Sequence, residues 1–145
     1  MLPALEPLLV QWREEKVPLL PGAAEWAIRS TFAKVGLHAT SDVMELYSRV
    51  GGMAEMDRYD WRLWSLEEIE DRHRHNSGTG VLFSDYMIDC WGYRLYPGQN
   101  DMSAVYVDYV YDGSRKPIVV APTLNAFFKA YLNDADGLLN QPHGR

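Results

Sequence analysis

The amino-acid sequence predicts an α+β domain: helices toward the N-terminus, then an antiparallel or mixed sheet, then a closing helix, with the helices packed on one side of the sheet. Three observations predict this. Apolar residues recur at helical spacing in the stretches before Gly51; from Gly80 onward the period changes to alternation in short runs divided by turn residues; and "PTLNAFFKAYLND" returns to helical spacing. A chain of 145 residues, 47% hydrophobic and 23% charged, suits one soluble domain over 1–145 that buries its core without staples.

Leu5, Leu8, Leu9 and Trp12 mark a first amphipathic helix within about 2–16, broken afterwards by Pro18 and Pro21. A second helix is expected over about 23–35, burying Ala24, Ile28 and Phe32, with Gly36 at its stop. A third lies in "HATSDVMELYSRVGG", capped by Ser41 or Asp42, with Val43, Leu46, Tyr47 and Val50 inward and Gly51 closing it. "MAEMDRYDWRLW" reads as an aromatic loop entering a short strand around 62–64. Ser65 and Glu68 then have the spacing of a capping box, in which each side chain satisfies the other's free backbone amide.

"VLFS", "YMIDCWGYRLY", "AVYVDYVY" and "IVVA" are expected strands, with a kink at Asp85 dividing the first two. In the third run Val105, Val107, Tyr109 and Tyr111 share one face, and Tyr106, Asp108 and Val110 the other. Periodicity leaves open which face of "YMIDCWGY" is core, since Ile88 and Cys90 fit beneath helices while Trp91 and Tyr93 also want cover. Thr123 caps a last helix that turns Leu124, Phe127, Phe128, Tyr131 and Leu132 inward, and "GLLNQPHGR" is expected to be a loosely held tail.

A formal net charge of −6 argues against nucleic-acid binding, which needs a basic stripe to displace counterions. One cysteine, Cys90, cannot form an internal disulfide, the start does not read as a signal peptide, and no apolar run spans a bilayer, so a cytoplasmic protein off the membrane is expected. "HNSGTG" runs from helix to strand, the reverse of a phosphate loop, and reads as a turn. His73 and His75 point to opposite sides of a helix, unlike the three- or four-residue spacing of zinc helices, so neither a metal nor a cofactor is expected. Cys90 reads as a small buried hydrophobe in mid-strand. Asp85 and Asp89, with His73 or His75, define a remote alternative, a carboxylate-dependent hydrolase; no nucleophile or cofactor motif accompanies them.

The remaining signal is one of contact: acids interleaved with stiff amphipathic aromatics, suited to a basic protein partner. The candidate contact residues are Asp57, Tyr59, Asp60, Trp61, Asp85, Tyr86, Asp89, Tyr106 and Asp108, whereas Tyr47, Trp64 and Tyr131 are assigned to the core.

"SDVMELYSRVGG", the strand running into "LWSLEEIED", "GVLFSDYMIDCWGYRL", "VYVDYVY" and "APTLNAFFKAYL" occur in the order found in the SUKH superfamily. The chain resembles that group, which contains fungal Smi/Knr cell-wall regulators and many bacterial toxin-immunity proteins, over roughly 21–139. The resemblance implies the same α+β fold and a non-enzymatic binding module. In the first instance that is an immunity protein neutralising a polymorphic or contact-dependent toxin domain with a basic cleft, as a monomer or weak homodimer; the alternative is an intracellular regulator or scaffold. Gly51 and Gly52 match the group's most recognisable element, with a structural role expected for both, as for Ser65, Glu68 and Thr123. The helix within 2–16 and the aromatic loop at 57–61 depart from the common pattern.

Overall fold

The computed structural model describes residues 2–75, 78–110 and 114–140. Three helices come first, α1 (Leu5–Glu14), α2 (Glu25–Lys34) and α3 (Ser41–Arg49), followed by β1 (Trp61–Leu63) and α4 (Leu66–His73). The sheet continues with β2 (Val81–Tyr86), β3 (Trp91–Pro97), β4 (Ser103–Asp108) and β5 (Ile118–Ala121), and α5 (Leu124–Asn140) closes the chain. The fold is α+β, and the five-stranded sheet is an antiparallel meander in the order β1-β2-β3-β4-β5.

Register assigns the faces. Trp61 pairs with Tyr86, Leu63 and Tyr93 with Ser84, and Leu95 with Val105, so these side chains share one face. Helix α5 covers it: the Phe127 ring lies 5.9 Å from Trp61, 6.4 Å from Phe83 and 5.5 Å from Tyr93. Trp12 of α1 stacks on Trp61 at 6.0 Å. Tyr47, Trp64 and Tyr131 are core residues, as expected. The other face carries Arg62 opposite Asp85, Arg94 opposite Tyr106, and Asp108 opposite Gly92. Helix α4 reaches this second face, its Glu68 taking Arg62 and its Arg72 stacking 4.6 Å from the Trp64 ring.

The helix caps divide. Ser65 and Glu68 form the complete capping box, and Thr123 Oγ1 accepts the Ala126 amide at 3.0 Å. Asp42 accepts the first-turn Val43 amide at 2.9 Å, as expected, but it is fully buried and also accepts the Ser103 amide, at 2.9 Å from Oδ2, and the Thr40 hydroxyl, at 2.6 Å from Oδ1, fastening α3 to β4. Ala24 lies outside α2 and is exposed, because the helix begins one residue later. Gly51 does not stop α3, which ends in the extended Val50. It is small because a Cβ there would sit 2.2 Å from the Pro21 carbonyl oxygen, whereas Gly52 supplies the left-handed φ of +133°. The glycine pair thus does two jobs, close approach and then reversal.

Three expectations about where elements end are corrected. Asp85 is no kink; β2 runs through it to Tyr86, and the chain reverses at 87–90. Strand β4 ends at Asp108, and Tyr111 lies outside the described residues. The expected loose tail is helical as far as Asn140: α5 kinks at Asp134, whose carboxylate accepts the Gly137 amide at 3.0 Å and restarts the helix, burying Leu138 and Leu139. His143 lies outside the described residues.

Candidate functional site

Five of the nine expected contact residues, Asp57, Trp61, Asp85, Tyr86 and Asp108, are buried, and this corrects their assignment. The three carboxylates and the Trp61 indole N–H, which donates to Ser84 Oγ at 3.1 Å, are engaged internally, as burial requires. Asp57 Oδ2 accepts the Trp12 indole N–H at 3.0 Å and the Tyr131 hydroxyl; its Oδ1 accepts the Tyr59 amide at 2.9 Å. Burial, reinforced by the Asp57 charge, pushes the Tyr131 phenol far above its ordinary pKa, so that hydroxyl stays a donor. Asp108 pairs with Arg94 at 2.6 Å, both nearly inaccessible to solvent. Tyr86 lies 5.0 Å from the Trp91 ring, which lies 5.2 Å from Tyr109, making a row of aromatics across β2, β3 and the end of β4. Tyr59 and Tyr106 are half-buried against Tyr131 and Tyr96. Only Asp60 and Asp89 of the nine are exposed.

Those two lie at the β2–β3 turn, Asp89 within it and Asp60 beside it. Tyr86 pairs with Trp91, leaving 87–90 as a four-residue tip. Ile88, expected beneath helices, is 79% exposed; Met87 is 48% exposed and Cys90 is exposed too. The turn sits where Asp85 provides an acceptor for a turn amide four residues on. Asp85 Oδ2 accepts the Asp89 amide at 2.9 Å, while its Oδ1 accepts the Trp64 indole N–H at 2.7 Å. The Asp60 carbonyl oxygen accepts the Met87 amide at 2.8 Å, and the Tyr86 carbonyl accepts that of Cys90 at 3.0 Å.

Beside the tip lies a cleft of about 500 Å³ lined by Glu55, Met56, Asp60, Arg62, Arg72, Asp85, Ile88 and Asp89, four carboxyl groups against two guanidiniums. Arg72 Nη2 holds both Asp89 oxygens, at 2.6 and 2.7 Å. Arg62 is bidentate to Glu68, at 3.0 and 2.5 Å, and donates to the Met53 carbonyl. Burial, with the charges of Asp60 and Asp136, raises the Tyr86 phenol above its ordinary pKa. Among the described residues no three of His, Cys, Asp and Glu converge as metal ligands, and no helix is long and apolar enough to cross a membrane. Asp85 and Asp89, weighed for hydrolysis, are both engaged in holding the tip.

Burial opposes ionisation of Glu68, but the Arg62 guanidinium and the Ser65 amide and hydroxyl outweigh it and bring the carboxyl below its ordinary value of 4.5. A depressed folded-state pKa contributes stability above 4.5 that disappears as pH falls through the lower, folded-state value. The melting temperature of the wild type is therefore expected to fall more steeply than that of Glu68→Gln as pH is lowered from about 6 to about 3. Parallel curves would show that the bridge carries no pH dependence.

Sequence reasoning missed Met87 and Ile88, because an apolar pair inside an alternating run reads as core. The signal that would have found them was the Asp85 and Asp89 spacing, read as turn chemistry rather than as a pair of acids. Trp26, 76% exposed on α2, was likewise not singled out. No family model matches the chain, and no curated protein matches it significantly.

Proposed function

We propose that this chain is a protein-binding module of the SUKH type, an immunity protein that binds a bacterial toxin domain in the cytoplasm and neutralises it by occupation rather than by chemistry. One observation carries the reading: Met87 and Ile88 stand out in solvent beside the exposed carboxylates Asp60 and Asp89. Large apolar side chains kept at the surface among charges suit a contact centre with a polar rim. The net charge of −6 complements a basic cleft and disfavours nucleic acid.

Co-purification of the tagged protein with the product of the neighbouring gene, together with co-expression of the two, tests this. A 1:1 complex that suppresses the neighbour's toxicity, and whose association slows with added salt, is expected. Absence of both complex and toxicity would reject the immunity reading and favour a regulator or scaffold.

A further inference from the structure

Backbone conformation at the tip adds information that exposure does not. Met87, Ile88 and Asp89 have φ of +50°, +52° and +64°, and Asp60, bonded to the Met87 amide, has +63°. L side chains visit this left-handed region as isolated residues, chiefly Gly, Asn and Asp, and β-branched ones least of all. An isoleucine here is unfavourable for the backbone, and at 79% exposure it gains little from packing. Strain of this kind persists only where the surroundings hold it. Here Asp85 grips the Asp89 amide from within while Arg72 grips the Asp89 carboxylate. The apolar side chain is thus fastened outward on a rigid mount.

Building on the toxin-binding reading above, the geometry points to Ile88 as the residue that determines partner specificity, entering an apolar pocket on a protein surface whose rim carries lysine or arginine side chains facing Asp60 and Asp89. A β-branched side chain, stiff at χ1, next to a backbone held at Asp89 loses less freedom on binding than one on a free loop, so its contact is felt in dissociation. The carboxylates around it act at longer range, on association. Fold and contact therefore make opposite demands at position 88: glycine suits the turn, isoleucine the partner.

Binding kinetics of the wild type, Ile88→Gly and Asp60→Asn with the purified product of the neighbouring gene separate these effects, with a melting curve for each variant. Ile88→Gly is expected to dissociate at least about tenfold faster with a melting temperature equal to or above that of the wild type. Asp60→Asn is expected to associate more slowly at low salt with its dissociation rate unchanged. Wild-type binding with an unaltered dissociation rate for Ile88→Gly would overturn the role of Ile88 and leave the toxin-binding reading standing. Failure of the wild type itself to bind would remove both.

Discussion

Asp57→Ala is expected to destabilise the fold by about 3–5 kcal/mol, because the substitution strands several buried donors at once. The Trp12 indole, the Tyr131 hydroxyl and the Tyr59 amide all end on this one carboxyl group, and the Trp61 amide approaches it at 3.3 Å. It joins α1, α5 and the loop before β1. The Trp12 and Tyr131 donors, on fully buried residues, do not reach water without opening the Trp12, Trp61 and Tyr131 aromatic cluster, whose ring centroids lie 5.4 to 6.3 Å apart. A loss of this size is a large fraction of the roughly 5–15 kcal/mol typical of a domain. Urea denaturation measures it, and Tyr131→Phe, which removes a single donor, is expected to cost about 1–2 kcal/mol. A loss under about 1 kcal/mol for Asp57→Ala would show that the donors find other partners.

Arg94→Ala is expected to have a comparable effect, about 3–5 kcal/mol, by leaving the Asp108 carboxylate buried without its cation. The pair lies across β3 and β4 on the sheet face opposite α5, and Arg94 also donates to the Thr79 carbonyl at 3.2 Å, tying down the loop before β2. Because both groups are shielded, the loss should persist in about 1 M salt, where an exposed pair is screened. The double variant Arg94→Met with Asp108→Leu is expected to recover much of the stability, since replacing both charges removes the desolvation cost along with the attraction. Denaturation midpoints of the two variants at low and high salt check both statements. A double variant no better than Arg94→Ala would mean that the contacts to the loop, rather than the stranded carboxylate, set the loss.

The two carboxylates also show why the contact surface was only partly legible. In sequence, Asp57 in "MDRYDW" and Asp108 in "YVDYVY" look like Asp60 and Asp89: acids next to aromatics. Whether such an acid faces solvent or an indole N–H depends on what is packed across from it, and the partners of Asp57 come from positions 12 and 131. Local pattern carries no information about residues so distant along the chain. The same holds for Ile88, whose exposure follows from the end of a strand pairing.

What the sequence determined by itself was whatever local physics decides. The order of helices and strands follows from the change of period, the α4 start from the Ser65 and Glu68 spacing, the α5 start from Thr123, and the inward faces of α1 and α3 from residues three and four apart. Only tertiary structure decided that Gly51 is small for the Pro21 carbonyl, that Asp42 serves β4 as well as the first turn of α3, and that the reversal after β2 falls at 87–90. Each depends on groups that folding brings together: a backbone crossing, a buried amide in need of an acceptor, and a register in which Tyr86 meets Trp91 and leaves Ile88 with nothing to cover it.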